Sequence, residues 1–237
     1  MVEFVAAAIE ACRLTDGLVD PTLLDALEAA GYRSELAGGL PLRLALDAAP
    51  PRRPARPRAD SRWRELRVGG ERTISRPPSV RLDSGGIAKG LFADLLAERL
   101  AGHAAFAVDC AGDFRVGGAD TAPRELRVAS PFDDHVLHTF ELAAAGVATS
   151  GIGRRAWLDE DGAPAHHLID PATGRPAFTG VVQATALAPT ALEAEARAKA
   201  AVLSGPDSGR AWLPHGGVLV LDDGSSEVIA PRAGGLG

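Results

Sequence analysis

A long series of short strand-like segments, each ended by a turn, constrains the fold of this chain more than any other feature. From residue 63 onward, short apolar runs alternate with turns that contain Gly or Asp. The pattern predicts strands at 63–68, 72–75, 80–82, 104–110, 114–116, 125–129, 136–142, 146–149, 181–188 and 217–221. Helical spacing predicts helices at 3–14, 20–30, 88–101 and 190–203. Because strands outnumber helices and cluster between turns, we expect an α+β fold with a mostly antiparallel sheet and flanking helices.

The length and charge of the chain exclude several classes of protein. With 237 residues, of which 46% are hydrophobic and 24% charged, we expect one globular domain over 1–237. A Pro- and Arg-rich stretch predicts an exposed loop at 50–62. The net charge of −6 argues against a nucleic-acid partner, and no apolar run reaches the length of a membrane span. The first residues carry acidic groups and no basic region, so they do not resemble a signal peptide, and we expect a cytoplasmic protein.

Two cysteines lie far apart in the sequence, at Cys12 and Cys110. They form no C-x-x-C pair, and we interpret them as ordinary core thiols.

The first candidate site is a Gly-rich turn between a predicted strand and a predicted helix. Residues 83–90 read D-S-G-G-I-A-K-G, which is neither a Walker loop nor a dinucleotide fingerprint. Glycines let the backbone approach a ligand, and the first turn of a helix offers free N–H groups to anions. Lys89 opposes the helix dipole there, and a bound phosphate or flavin carbonyl would offset that cost. The alternative is a plain turn with an exposed lysine.

The second candidate is a His-Asp pair beside a turn, in the segment H-L-I-D-P-A-T-G-R-P at 167–176. His166 and His167 point to opposite faces of a strand, so one of them readily faces a common site. A histidine can take a proton from an attacking hydroxyl, and Asp170 lies three residues after His167. The alternative is that Asp170 only forms a structural hydrogen bond. The H-E-x-x-H motif of zinc proteases is absent.

The third candidate is an acid-base pair on the late helix. Glu195 and Lys199 are four residues apart and therefore share one face. Lys199 and Lys89 are the only lysines among the 25 basic residues. The alternative to a functional cation is an ordinary surface ion pair.

In this order, the segments resemble those of the FAD:protein FMN transferase family, also called the ApbE family. Residues 15–22 (T-D-G-L-V-D-P-T) resemble its T-D-G-x-x-D-P-T turn, and 83–90 and 167–176 resemble its D-x-G-G-I-A-K-G and H-x-I-D-P-x-T-G-x-P motifs. Residues 111–113 (A-G-D) and 148–151 (A-T-S-G) match two shorter signatures. The resemblance runs from about residue 5 to about residue 222.

The resemblance implies an enzyme that attaches the FMN part of FAD to a Thr or Ser hydroxyl of a target flavoprotein and releases AMP. His167 and Asp170 would be the catalytic residues, with His167 as general base. The resemblance places Mg²⁺ on the Gly86 carbonyl and Glu195. The implied FAD contacts are Leu18, Val19, Asp20, Asp83, Lys89, Thr149, Ser150, Gly151, Leu168, Ile169 and Lys199.

The sequence departs from the family pattern in two places. Lys199 stands where the family has a Thr that binds Mg²⁺, and an ammonium cannot be a metal ligand. Our hypothesis is that Lys199 pairs with Glu195 and replaces the metal against the FAD phosphates. The family also has an N-terminal segment before the T-D-G turn that is nearly absent here. Without that strand we expect an open sheet edge, which a homodimer or partner could cover.

Two alternatives to a transferase stay open from the sequence. The chain could bind FAD or hydrolyse it to FMN and AMP without a protein acceptor. It could also be an inactive, flavin-free remnant that serves as an interaction module.

Overall fold

The computed structural model describes residues 1–32, 39–120 and 122–232. In these residues the α-helices are α1 (Val2–Leu14), α2 (Leu24–Ala29), α3 (Leu42–Asp47), α4 (Ala88–Leu100) and α5 (Ala191–Gly209), and short 3₁₀ turns lie at Arg62–Glu65, Gly70–Arg72 and Arg210–Trp212. The strands are β1 (Arg67–Val68), β2 (Ile74–Ser75), β3 (Phe106–Cys110), β4 (Asp113–Gly117), β5 (Arg124–Ala129), β6 (Val136–Leu142), β7 (Ala145–Gly151), β8 (Ala156–Leu158), β9 (Pro164–His166), β10 (Ile169–Asp170), β11 (Arg175–Pro176), β12 (Val181–Ala188), β13 (Gly217–Leu221) and β14 (Ser226–Ile229).

Six of the described strands form one sheet in the order β14-β13-β12-β7-β4-β3, so β14 and β3 are its edges. The remaining described strands form two-stranded hairpins, β1-β2, β5-β6, β8-β9 and β10-β11. Every pairing among these strands is antiparallel. The α+β prediction with a mostly antiparallel sheet is therefore confirmed.

The sheet lies between a helical layer and the β5-β6 hairpin. On β7, Ala148 packs with Ala194 of α5, whereas Val147 packs towards Leu126 and Phe140 of the hairpin. Side chains alternate between the two faces of a strand, so neighbouring residues of β7 enter different layers. The helix that crosses the sheet is rich in buried Ala, including Ala198, and these small side chains let its backbone approach the strands closely.

The start of α5 is locked to α4 by side-chain hydrogen bonds. Thr190 caps α5 by accepting a hydrogen bond from the Glu193 N–H. The N–H groups of Ala191 and Leu192, the first two residues of α5, donate to the carboxylate of Asp94 on α4, at 2.9 Å each. One turn earlier on α4, a Cβ at Gly90 would lie 2.6 Å from the Ala191 carbonyl oxygen, so only glycine permits this crossing. These contacts fix how α4 and α5 face one another.

The Pro- and Arg-rich stretch at 50–62 is mostly exposed, and it is attached to the body of the protein. The Arg53 N–H donates to the Phe178 carbonyl, and the Ala55 N–H donates to the Leu203 carbonyl at 2.8 Å. The stretch is therefore a docked loop, and its last residue begins a 3₁₀ turn.

Several local predictions were wrong. The second helix begins at Leu24 because the carboxylate of Asp20 instead accepts hydrogen bonds from the Thr22 N–H and hydroxyl, which folds 20–22 into a turn. Residues 62–65 form a 3₁₀ turn through local bonds and only the last two residues of 63–68 are strand. Residues 80–82 are outside the described strands because no neighbouring strand pairs with them.

None of the helices in the described part of the chain is long and apolar enough to cross a membrane. Cys12 and Cys110 are free thiols, as expected, and burial raises the pKa of both.

Candidate functional site

A cleft between the end of α1, the loop before α4 and the side of α5 gathers most of the predicted site residues. The space in the cleft and at its mouth measures about 690 Å³. Nine residues expected from the sequence line it: Leu18, Val19, Asp20, Asp83, Gly86, His167, Leu168, Ile169 and Lys199. Three separate motifs therefore meet at one place.

The loop at 15–20 is held in shape by its own hydrogen bonds. The Thr15 hydroxyl donates to the Ala11 carbonyl at 2.7 Å and accepts from the Val19 N–H at 3.1 Å. Gly17 has a φ of +83°, which suits glycine in such a tight turn. The Asp83 N–H donates to the Pro21 carbonyl at 2.8 Å, so the first two motifs are joined directly.

The cleft is lined by both apolar and polar residues. The apolar ones are Leu18, Val19, Leu23, Leu27, Tyr32, Leu168, Ile169 and Leu203. The others are Asp20, Asp83, Gly85, Gly86, Arg155, His167 and Lys199. A mixed lining of this kind suits a ligand that has both an apolar ring and a charged group.

Two buried polar atoms in the lining have no hydrogen-bond partner among the described residues. They are the second carboxylate oxygen of Asp20 (Oδ2) and Nδ1 of His167. Buried polar atoms in proteins are nearly always paired, so atoms left unpaired in a cleft indicate groups that a ligand completes.

His167 is a neutral base in this structure. Burial is the main cause that lowers its pKa to about 3, and the charges of His166, Lys199 and Arg155 contribute in the same direction. Its neighbour His166 is completely buried and stacks edge-on against Phe178. His167 lines the cleft, whereas His166 is buried against Phe178. The expectation that both histidines lie in one strand was wrong, because β9 ends at His166 and His167 lies in the bend before β10.

We expect the stability of the folded chain to fall as the pH is lowered from about 6.5 towards 3. Burial lowers the pKa of both His166 and His167 from 6.5 to about 3, so in this window the unfolded chain binds protons that the folded chain does not. Each such proton costs about 1.4 kcal/mol per pH unit, and the loss is absent above the unfolded pKa. Urea unfolding measured between pH 7.5 and 5 tests this.

A matched pair of variants isolates the contribution of one histidine. His166→Gln keeps an acceptor for the Leu168 N–H but cannot titrate. The slope of its unfolding free energy against pH should therefore be smaller than that of the wild type, by an amount that corresponds to about one bound proton. His103→Gln, at an exposed position, should keep the wild-type slope. Equal slopes for all three proteins would contradict the assignment.

The carboxylate of Asp170 closes the turn after the histidines. Oδ1 accepts the N–H groups of Arg56 and Ala172, and Oδ2 accepts the Thr173 hydroxyl at 2.9 Å. In the described residues none of its hydrogen bonds reaches His167. The geometry therefore favours the structural alternative for Asp170 over a catalytic couple.

Four charged side chains form a cluster beside the cleft, which we call the charge cluster: Lys89, which is partly exposed, and the buried Asp113, Glu195 and Lys199. Lys199 Nζ donates to Glu195 Oε1 at 2.8 Å, and Glu195 Oε2 accepts the Gly90 N–H at 2.8 Å. Lys89 Nζ donates to Asp113 Oδ2 at 2.7 Å. Burial raises the pKa of Asp113, as does the charge of Glu195, while both lysines oppose the rise. The predicted Glu195–Lys199 pair is confirmed, and it is buried instead of lying on the surface.

The structure assigns Lys89 a protein partner where the sequence suggested a ligand. Its ammonium is offset by Asp113, and Lys89 lies outside the lining that the described residues give the cleft. Likewise, the Gly90 N–H in the first turn of α4 is used by Glu195. The anion that binds at the start of α4 is thus the carboxylate of Glu195.

Asp113 was missed as a site residue because its role depends on its position after a turn. Ala111 and Gly112 both have positive φ, at 54° and 92°, and they join β3 to β4 as a tight hairpin. The A-G-D signature at 111–113 could have indicated this role, since the turn places Asp113 beside Lys89.

The donor set at the implied metal position does not suit Mg²⁺. Both Glu195 oxygens are already engaged, and Lys199 places an ammonium on one of them. A Cβ on Gly86 would lie 3.8 Å from Lys199 Cε, so the lysine stem occupies the space beside that backbone. Mg²⁺ prefers several oxygen ligands, and the described residues contain no group of three or more acidic, His or Cys side chains that could hold a metal.

Thr149, Ser150 and Gly151 lie on β7 and outside the lining formed by the described residues. The Thr149 and Thr185 hydroxyls are 2.7 Å apart, and Gly151 is paired with Gln183 of β12. These residues build the sheet, and the loop that follows them brings Arg155 to the cleft.

Comparisons with known proteins give the family of the chain. A family model described as the ApbE family matches residues 1–221. A Vibrio cholerae protein named FAD:protein FMN transferase is 28% identical over 94% of this chain and 68% of its own length. A Salmonella typhimurium protein of the same name is 30% identical over 82% of this chain and 56% of its own length. The chain thus spans about two thirds or less of these curated relatives.

Two solved structures show the same fold. The ApbE protein of Thermotoga maritima has 26% identity and a TM-score of 0.71, covering 96% of this chain and 74% of its own. The flavin transferase ApbE of Vibrio cholerae has 25% identity and a TM-score of 0.69, covering 98% and 75%. With a family model that matches nearly the whole length, the chain belongs to the ApbE family.

Proposed function

We propose that this chain transfers the FMN part of FAD to a Thr or Ser hydroxyl of a partner flavoprotein and releases AMP. The observation that carries the proposal is the cleft, in which a neutral buried histidine and an ammonium line a pocket together with many apolar side chains. Membership of the ApbE family, whose relatives named above are FAD:protein FMN transferases, supports it.

The two kinds of lining residue match the two kinds of chemistry in FAD. The aliphatic side chains of Leu168 and Ile169 offer a surface on which a flat ring can pack. Lys199 and Arg155 offer positive charge to a pyrophosphate. Asp20 Oδ2, unpaired in the structure, is a free acceptor for an N–H or O–H group of the ligand.

The reaction follows from these groups. The acceptor hydroxyl oxygen attacks the phosphorus on the FMN side, and the bond from that phosphorus to the bridging oxygen breaks. AMP leaves with the bridging oxygen, and the proton of the hydroxyl passes to His167. Lys199 and Arg155 lower the pKa of His167 in the ligand-free protein. A bound pyrophosphate offsets their charge, which makes His167 a stronger base when the substrate is present.

The first test is a titration of the purified chain with FAD, followed by flavin fluorescence, AMP release and the mass of an acceptor. The acceptor is a flavoprotein domain that carries FMN on threonine, and its Thr→Val variant is the control. Saturable binding with AMP release and one added FMN on the threonine form supports a transferase. AMP and free FMN without a mass gain would indicate a pyrophosphatase, and no FAD binding would contradict the proposal.

A further inference from the structure

Lys199 is a buried cation that faces the cleft. The residue is 6% exposed, and it is the one member of the charge cluster that lines the pocket among the described residues. A buried ammonium is costly unless it is paired, and Glu195 pairs it at 2.8 Å. Glu195 is fixed in turn by the Gly90 N–H. The ammonium is therefore held in one place beside the cleft.

The charge cluster is balanced without any added cation. Two ammonium groups face two carboxylates, and Lys89 already neutralises Asp113. A divalent cation placed beside Glu195 would meet the Lys199 ammonium at contact distance, and each oxygen of Glu195 already accepts a hydrogen bond. Among the described residues, four charged ones line the cleft, and a phosphate finds its cationic partners in Lys199 and Arg155, while Asp20 and Asp83 supply carboxylates.

We propose that Lys199 takes the place of a divalent metal in this chain, so that the pyrophosphate of FAD is bound and activated without Mg²⁺. As a proposal about FAD, it rests on the proposed function above. The lysine contributes a fixed charge to the pyrophosphate, whereas a metal would contribute a charge that depends on its concentration. A consequence of the proposal is that the site excludes Mg²⁺ even when no flavin is present.

The first experiment measures FAD binding by flavin fluorescence in EDTA and in Mg²⁺. The wild-type Kd should agree within about twofold between the two conditions. Lys199→Gln should weaken FAD binding at least tenfold and should leave the binding of riboflavin, which has no phosphate, within threefold. Arg197→Gln removes a cation from the same helix that is paired with Glu193, and its FAD Kd should stay within twofold. A tenfold gain from Mg²⁺ in the wild type, or no loss in Lys199→Gln, would overturn the proposal.

The second experiment measures metal binding to the flavin-free protein. Mn²⁺ titration followed by electron paramagnetic resonance should show no site on the wild-type protein. The double variant Glu195→Asp with Lys199→Thr removes the ammonium and adds a hydroxyl ligand, and it should bind one Mn²⁺. Circular dichroism checks that it folds, and Lys199→Thr alone is the second variant if it does not. One tight Mn²⁺ site on the wild type would refute the exclusion.

The two proposals fail in different ways. If FAD binds without metal but no AMP is released, the transferase function is wrong while the role of Lys199 in binding phosphate stands. If AMP release occurs only with Mg²⁺, the function stands and the role of Lys199 is wrong. If FAD does not bind, the function fails and the role of Lys199 towards FAD fails with it, while the Mn²⁺ titration still decides metal exclusion.

Discussion

Replacement of His167 with Ala should lower the rate of AMP release from FAD by about 10² to 10⁴-fold. His167 lines the cleft, is neutral because burial lowers its pKa, and has an unpaired Nδ1. It is therefore the described group best placed to take the proton of an attacking hydroxyl. Stopped AMP assays at saturating FAD measure the effect on kcat. FAD binding should change little, because the apolar lining and Lys199 remain.

A comparison with Asp170→Asn separates a base from a residue that holds a turn. The Asp170 carboxylate accepts hydrogen bonds from the Arg56 and Ala172 N–H groups and from the Thr173 hydroxyl, so its variant should mainly lower the melting temperature. If Asp170→Asn lowered kcat as much as His167→Ala while the protein stayed folded, the catalytic couple expected from the sequence would be correct after all. A His167→Ala rate within threefold of wild type would contradict the proposed base.

Elements with strong and regular patterns were predictable from the sequence. Strands β6, β12 and β13 have their predicted bounds, because each is an apolar or alternating run between clear turns. The helix α2 and the segment at 80–82 were misjudged for a common reason. The backbone at both places forms hydrogen bonds within its own turn or with a distant loop, as the Asp83 N–H does with the Pro21 carbonyl. Such partners cannot be predicted from the local sequence pattern.

The site was also predictable in part. The motif residues on the loops before α2 and α4 and around β10 do line one cleft, and each motif forms a turn. Arg155 and Tyr32 were missed because only the packed fold brings them to the cleft. The sequence did not indicate that Lys89 pairs with Asp113, since Asp113 lies 24 residues away and reaches Lys89 through the β3–β4 hairpin. Residue types and spacing identify candidates, whereas the partner of a buried charge depends on tertiary structure.

Replacement of Glu195 with Ala should destabilise the fold by about 3–5 kcal/mol. Glu195 is 1% exposed, and it pairs with Lys199 and also accepts the Gly90 N–H in the first turn of α4. Its removal leaves a buried ammonium without a counter-charge and a helix N–H without a partner, and each is costly in a low-dielectric interior. Urea unfolding at pH 7.5 measures the loss.

Two further variants show whether the stability lost in Glu195→Ala comes from the lone charge of Lys199 or from lost packing. Glu195→Gln keeps an acceptor for the Gly90 N–H but removes the negative charge, so it should lose less stability than Glu195→Ala. Glu195→Ala combined with Lys199→Met removes both charges and should recover a large part of the loss, because a buried pair contributes little once neither charge remains. If the double variant is no more stable than Glu195→Ala, the carboxylate acts through packing and its helix hydrogen bond. The buried ammonium then needs no counter-charge from Glu195, which would mean that Lys199 has access to water and that its charge at the cleft is weaker than the structure implies.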